Sequence, residues 1–510
     1  MSASKAVGSP FHRRTVHPQR AVIDIGSNTV RLVIYEGPGR APETVWNEKV
    51  AARLGRDLAA SAEIPPEAEE EALAALARYA LIIRDRGIED VQTVATAAAR
   101  DARNGADFLE KIVDLGLHPQ LLTGEEEACA SAMGVVGAFP SASGTMADLG
   151  GGSLELATLR QGDCSHAVSL PFGTLRLPEL LSTGHDLAGA IRNAMGLEGG
   201  PQTGSGPLYL VGGTWRAFAY FAMARRDYPL TDPHGFCLTC DEADHLAKAL
   251  QTSEGGDLGS VAGISEMRAA YLPDAAHLLL VLLSELKPTS VVFSSWGLRE
   301  GLLYSRLNAF QRDSDPLLAG VQEFCSRHDA AIVDAARLAD WSADITLGHG
   351  KRTERLRLAT AQFASALQRV EPNLREGYAC EWTLEKRWVA CTPRDRAMMC
   401  AALFGSLGRT QTPDTLRYLA TEDERREAIA WGLSFRLARR LGAGSGQALA
   451  SSRLRLGDET LTLHLDRTRA ALATASFAVN LEKLAQWLDR KARIEIDDHD
   501  FPNAPDKSEI

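Results

Sequence analysis

Residues 21–35 (AVIDIGSNTVRLVIY) join two β-rich stretches through a Gly-Ser-Asn turn. Residues 145–159 (TMADLGGGSLELATL) repeat the design, with Asp148 in the place of Asp24. Each copy predicts a strand–turn–strand. Further β-rich runs stand at Val91–Thr96, Leu208–Val211 and Val291–Phe293, and helical patterns such as Glu67–Arg86 and Asp241–Gln251 lie between them. Strands that alternate with helices predict an α/β fold. The repeat predicts two such domains facing each other.

A chain of 510 residues exceeds one compact core, so further domains are expected. After about residue 307 the pattern changes to successive helices rich in Ala, Leu and Arg. Leu454–Leu465 then alternates around Gly457-Asp458, a hairpin signature, and a helix (Phe477–Arg490) and a short strand (Arg493–Ile496) follow. Charge is uneven. The whole chain carries −11, but residues 351–470 carry +7 and the remainder −18. A basic lobe on an acidic protein is compatible with an anionic polymer, because local field rather than net charge steers a ligand. Arg352, Arg355, Arg357, Arg436, Arg439 and Arg440 are candidates to line a groove for it.

The basic first twenty residues lack an apolar core, the longest apolar run is His277–Leu283, and the eight cysteines show no framework spacing. These features predict reduced thiols in a cytoplasmic protein with no membrane-spanning segment.

The two Asp-x-Gly turns carry the chemistry. Glycine lets a ligand approach the main chain, and successive N–H groups at such a turn form a nest for phosphate. Gly26, Ser27 and Asn28 supply donors in the first turn, and Gly150, Gly151 and Ser153 in the second. An aspartate cannot bind phosphate directly, but it can through a bridging Mg²⁺. The segment Gly212-Gly213-Thr214 reads as a plain strand-to-helix connection. His234, Cys237, Cys240 and His245 mimic a zinc spacing with only one Cys-x-x-Cys, and a loop with buried thiols is expected there instead.

With those residues in view, the chain resembles the exopolyphosphatase/guanosine pentaphosphate phosphohydrolase family of the actin/Hsp70/sugar-kinase superfamily. The motifs are DIGSNTVRL (Asp24–Leu32), TAAAR (Thr96–Arg100), TGEEEA (Thr123–Ala128) and DLGGGSLE (Asp148–Glu155). GISEMRAAYLP (Gly263–Pro273) and SSWGLREGLL (Ser294–Leu303) are similar to family segments as well.

The resemblance implies two actin-like domains at 20–137 and 138–306 after a tail at 1–19. A helical HD-like domain at 307–441 and a small α+β domain at 442–510 follow. His328-Asp329 resembles an HD pair, but no histidine lies between 351 and 460, so no metal site is expected in that domain. The resemblance also makes Glu127 the catalytic carboxylate, with Glu126 in reserve, and Arg100 the contact to the terminal phosphate. Asp148, Glu155 and Asp24 become the ligands of Mg²⁺ or Mn²⁺. The implied substrate is inorganic polyphosphate, with guanosine pentaphosphate, linked to the stringent response, as the alternative. Guanosine tetraphosphate is a possible regulator, and a non-catalytic sensor is a further class. A homodimer is expected, and no nucleic-acid partner.

Overall fold

The computed structural model describes residues 18–56, 58–196, 206–252, 258–328, 332–345 and 350–497. The basic stretch 1–17, Asp329 and the segment after 497 lie outside them. The first sheet uses β1 (Arg20–Ile25), β2 (Val30–Glu36), β3 (Glu43–Val50), β4 (Asp90–Ala95) and β5 (Pro119–Leu121), in the order β3-β2-β1-β4-β5. The second uses β6 (Gly144–Leu149), β7 (Leu154–Arg160), β8 (Asp163–Leu170), β9 (Leu208–Val211), β10 (Cys237–Leu238) and β11 (Val291–Ser294), in the order β10-β11-β9-β6-β7-β8. Without β10, the second order is the first repeated. In each sheet a hairpin opens the sheet, a third strand extends it antiparallel, and two parallel strands complete it. The predicted duplication is therefore one of topology, and the α/β architecture follows the resemblance.

Two helices fill the space between the sheets. Gly124–Ala138 packs on the second sheet through Ala132, Val135 and Val136. Leu298–Ser305 returns to the first sheet, where Leu303 meets Val22, Val33 and Tyr35. The helices cross at glycines. A Cβ on Gly301 would lie 1.7 Å from Ala130 O, and one on Gly134 2.2 Å from Gly297 O. No other residue allows that approach, and it brings Glu127 and Arg299 to the same cleft.

Helix Glu266–Leu286 is long and apolar enough by length and composition to cross a membrane. The sequence expectation that no run reaches that length is corrected here. In this fold Leu272, Leu278, Leu279 and Leu282 of the helix are buried in the second sheet's core.

The C-terminal half contains helices Pro316–Ser326, Ile332–Trp341, Lys351–Ala366, Pro393–Ser406 and Glu422–Gly442. They lead to a third sheet of β12 (Ser452–Leu456), β13 (Thr460–Asp466) and β14 (Lys491–Asp497), closed by helix Ala475–Trp487. One apolar core runs from Leu317 to Ala485. Asp232 ties this half to the second sheet's loops. It accepts hydrogen bonds from Arg387, at 2.8 Å, and from the buried Arg396, at 3.1 Å.

Most of the arginines offered as a polymer groove are structural. Arg352 pairs with Asp395 at 2.7 Å, and Arg355 with Asp315. Arg357 is buried and donates to Ala339 O and Ser342. Arg436 donates to Asn480, and Arg439 to Ala364 O and Ser406 O. Buried guanidinium groups need every donor met, so helix-end carbonyls and carboxylates claim them. Arg352 and Arg440 are the two of the six that stay exposed, and Arg352 is held by its ion pair. The eight reduced thiols also need correction: Cys129 and Cys164 form a disulfide, Cα–Cα 5.7 Å, and six free cysteines remain. His328 packs against Phe324 and Trp382.

Candidate active site

The cleft between the sheets holds a cavity of about 430 Å³. Both Asp-x-Gly turns line it, and they are built alike. Gly26 N donates to Thr29 O and Gly150 N to Ser153 O, each at 3.0 Å. The turns press on each other across the cleft. A Cβ on Gly152 would lie 2.5 Å from Ser27 Oγ, and one on Gly151 3.0 Å from Asn28 Cβ. Every candidate phosphate donor, Gly26, Ser27, Asn28, Gly150, Gly151 and Ser153, is in the wall.

The acids Asp24, Glu127, Asp148 and Glu155 line the same cavity. Glu127 sits in the first turn of helix Gly124–Ala138, 8% exposed, and accepts from Arg100 Nη1 at 3.2 Å. Burial pushes its carboxyl up to about 7, Arg100 opposes that shift, and Asp148 and Asp24 add to it. Burial also raises Asp148, against the hydrogen bond it accepts from Ser131 at 2.7 Å. Glu155 is pushed well up by burial and then by Glu127 and Asp148, although Ser169 donates to it at 2.9 Å. Glu126, the reserve candidate, is exposed and spent on the helix cap: Thr123 N donates to its Oε2 at 2.8 Å. Three carboxyls raised by burial and mutual repulsion, all hard oxygen donors, fit a divalent cation of the magnesium class.

Two placements differ in detail from the sequence expectation. Asp24 gives one oxygen to Arg299 at 2.8 Å. Arg100 is not a wall residue of the cavity; it contacts Glu127 and Leu122 O.

The cavity is also cationic. Arg31, Lys49, Arg216 and Arg268 all line it, Arg31 paired across the strands with Asp24. Arg31 and Lys49 are paired directly across β2 and β3, an arrangement that costs stability for like charges. Arg216 is pushed down to about 10 by burial and by Arg299, Arg268 and Arg31. Lys49 is lowered by burial and by Arg268, Arg31 and Arg216. The Nε of Arg31 is buried without a hydrogen-bond partner among the described residues.

The sequence argument left these four residues unassigned, although Arg31 and Arg268 fall inside quoted motifs. It also read Gly212-Gly213-Thr214 as a simple connection, whereas all three line the cavity. Gly212 has φ 111°, and a Cβ there would lie 2.9 Å from Asp148 Oδ1. It enters the cavity because β9 runs parallel to β6.

Two facing nests, a buried acidic cluster and four lining cations on a duplicated α/β scaffold fit the phosphate chemistry of a phosphatase. The chain belongs to the Ppx/GppA phosphatase family, whose model matches residues 33–310. It is 28% identical over 335 residues to retrograde regulation protein 2 of Saccharomyces cerevisiae, covering 58% of this chain and 57% of that protein. It is 26% identical over 304 residues to exopolyphosphatase 1 of Mycobacterium tuberculosis, covering 56% and 88%. A crystal structure of an exopolyphosphatase from Cytophaga hutchinsonii aligns with TM-score 0.49 and 23% identity, over 56% of this chain and 97% of that one.

Proposed function

We propose that this phosphatase is an exopolyphosphatase, which hydrolyses the terminal phosphoanhydride of inorganic polyphosphate and releases orthophosphate. The observation that carries the proposal is that Arg31, Lys49, Arg216 and Arg268 line the same cavity as the acidic cluster. Four cations that repel one another need an extended polyanion, more than a single phosphate, to be satisfied.

In this reading the nests at Gly26–Asn28 and Gly150–Ser153 orient the terminal phosphoryl group, and the four cations hold the phosphates behind it. Glu127 Oε orients a water and takes its proton. Asp148, Glu155 and the remaining oxygen of Asp24 would hold Mg²⁺ or Mn²⁺, which supplies charge neutralisation at phosphate oxygens. Arg100 holds Glu127 in position and offsets its charge. Phosphoanhydride cleavage passes through a loose transition state, so positioning and neutralisation suffice and no covalent nucleophile is needed. Guanosine pentaphosphate is the alternative substrate, since it too presents a terminal phosphoryl group.

The proposal extends to the rest of the chain. The domains are 20–137, 138–306, 307–441 and 442–510, the third being HD-like without metal chemistry. A cytoplasmic location and a homodimeric state belong to the same proposal.

The test is phosphate release from long-chain polyphosphate and from guanosine pentaphosphate with Mg²⁺, for wild type and Glu127→Gln. Preference for polyphosphate, lost in the variant, supports the proposal. Preference for the nucleotide changes the substrate, and cleavage of neither moves the protein to the sensor class.

A further inference from the structure

The third sheet carries a cluster that phosphate release does not use. β13 and β14 run parallel, with His464 paired opposite Glu495. Strand alternation puts Asp497 on the same face as Glu495. Nδ1 of His464 lies 3.1 Å from Asp497 Oδ2 and 3.4 Å from Glu495 Oε2. One donor atom from each residue falls within 4.8 Å of the others, and all three residues are half-buried.

Two features set this cluster apart from an ordinary surface ion pair. The first is its rigidity. The other face of these strands (Leu463, Leu465 and Ile494) packs into the C-terminal core, so the sheet fixes the spacing of the donors. The second is its composition. One imidazole nitrogen and two carboxylate oxygens converge from facing strands, and two carboxylates this close repel. Arg493 meets only the other oxygen of Glu495, Oε1, at 2.9 Å.

A divalent cation would satisfy all three donors together. Zinc bonds of about 2.0–2.1 Å in a tetrahedral sphere place ligand atoms about 3.3 Å apart. The two separations from Nδ1 match that edge. Imidazole beside carboxylates favours a transition ion over Mg²⁺ or Ca²⁺.

We propose that His464, Glu495 and Asp497 bind a divalent transition ion of the zinc class, separately from the acidic cleft. Water completes the sphere. The ion pins β14, the edge strand of its sheet, to β13.

The experiment uses the full chain in saturating Mg²⁺, which keeps the cleft occupied, and titrates Zn²⁺ by calorimetry. One Zn²⁺ per chain binds, and amide exchange across 491–497 slows. His464→Ala abolishes that binding, and Asp497→Asn weakens it by about tenfold or more, at least the loss seen for an outer partner of a ligand. Both variants keep wild-type phosphate release. The conservative Asp497→Asn provides the test even if His464→Ala fails to fold. Absence of Zn²⁺ binding above Mg²⁺ competition overturns the proposal. So does Zn²⁺ held equally well by His464→Ala or Asp497→Asn, which would assign it to thiols or another group.

Discussion

Arg31 and Glu155 occupy the same position in the two copies of one hairpin, each paired across the strands with the aspartate that begins the turn, Asp24 or Asp148. One copy carries a cation there and the other an acid. The equivalent positions thus bring a cation and an acid into one cavity. Arg31→Gln is expected to raise KM for polyphosphate about ten- to hundredfold, the worth of a hydrogen bond to a charged group, with kcat nearly unchanged. Glu155→Gln is expected to lower kcat and to raise the Mg²⁺ requirement. Steady-state kinetics over polyphosphate and Mg²⁺ concentrations separate the two; a kcat-only effect of Arg31→Gln counts against the cationic lining.

Adjacent glutamates on one helix turn have different work. Glu127→Gln is expected to cost about 10²–10⁴ in rate, the scale of general-base help, with an unchanged circular dichroism spectrum. Glu126→Ala loses the capping interaction with Thr123 and keeps its rate. Equal losses of rate would dissolve the distinction drawn from the cap at Thr123.

The buried acids make a signed prediction for stability without metal. Glu127 rises from 4.5 to about 7 on folding. The folded chain therefore holds a proton that the unfolded chain has released, and stability falls as pH rises across that window and stays lower above it. For Glu127 alone the difference is roughly 3 kcal/mol. With chelator present, Glu127→Gln should melt higher than wild type at about pH 8 and converge with it near pH 4.5. Comparison with the variant cancels opposing groups such as buried His234, pushed down to about 3. Mg²⁺ should raise the wild-type melting temperature more at the higher pH. A wild type that gains on the variant as pH rises would refute the buried cluster.

Gly173 supports the second nest from behind. A Cβ there would lie 2.2 Å from Gly152 C and 2.3 Å from Ser153 N, both backbone atoms. Gly173→Ala must displace the turn, at about 1–3 kcal/mol of overpacking. Where that cost falls on the nest, phosphate release should drop about five- to a hundredfold, while Gly377→Ala in the C-terminal half, with open space around it, leaves the rate unchanged.

The duplicated hairpin, the two turns and the hairpin at Gly457-Asp458 were all legible in the residues. Each depends on turn chemistry and strand alternation, which act over a few positions. That local logic brought the nests, Asp24 and Asp148 to attention, and the family resemblance added Glu127 and Glu155. It could not reach Arg216 or Gly212, which enter the cavity only because β9 lies parallel to β6. Nor could it foresee that Arg299 would claim Asp24 from 275 residues away, or that Cys129 would meet Cys164. The C-terminal arginines show the limit most clearly. Composition marked them as a basic lobe, and burial turned most of them into fastenings, because a guanidinium taken out of water must find its partners inside the fold.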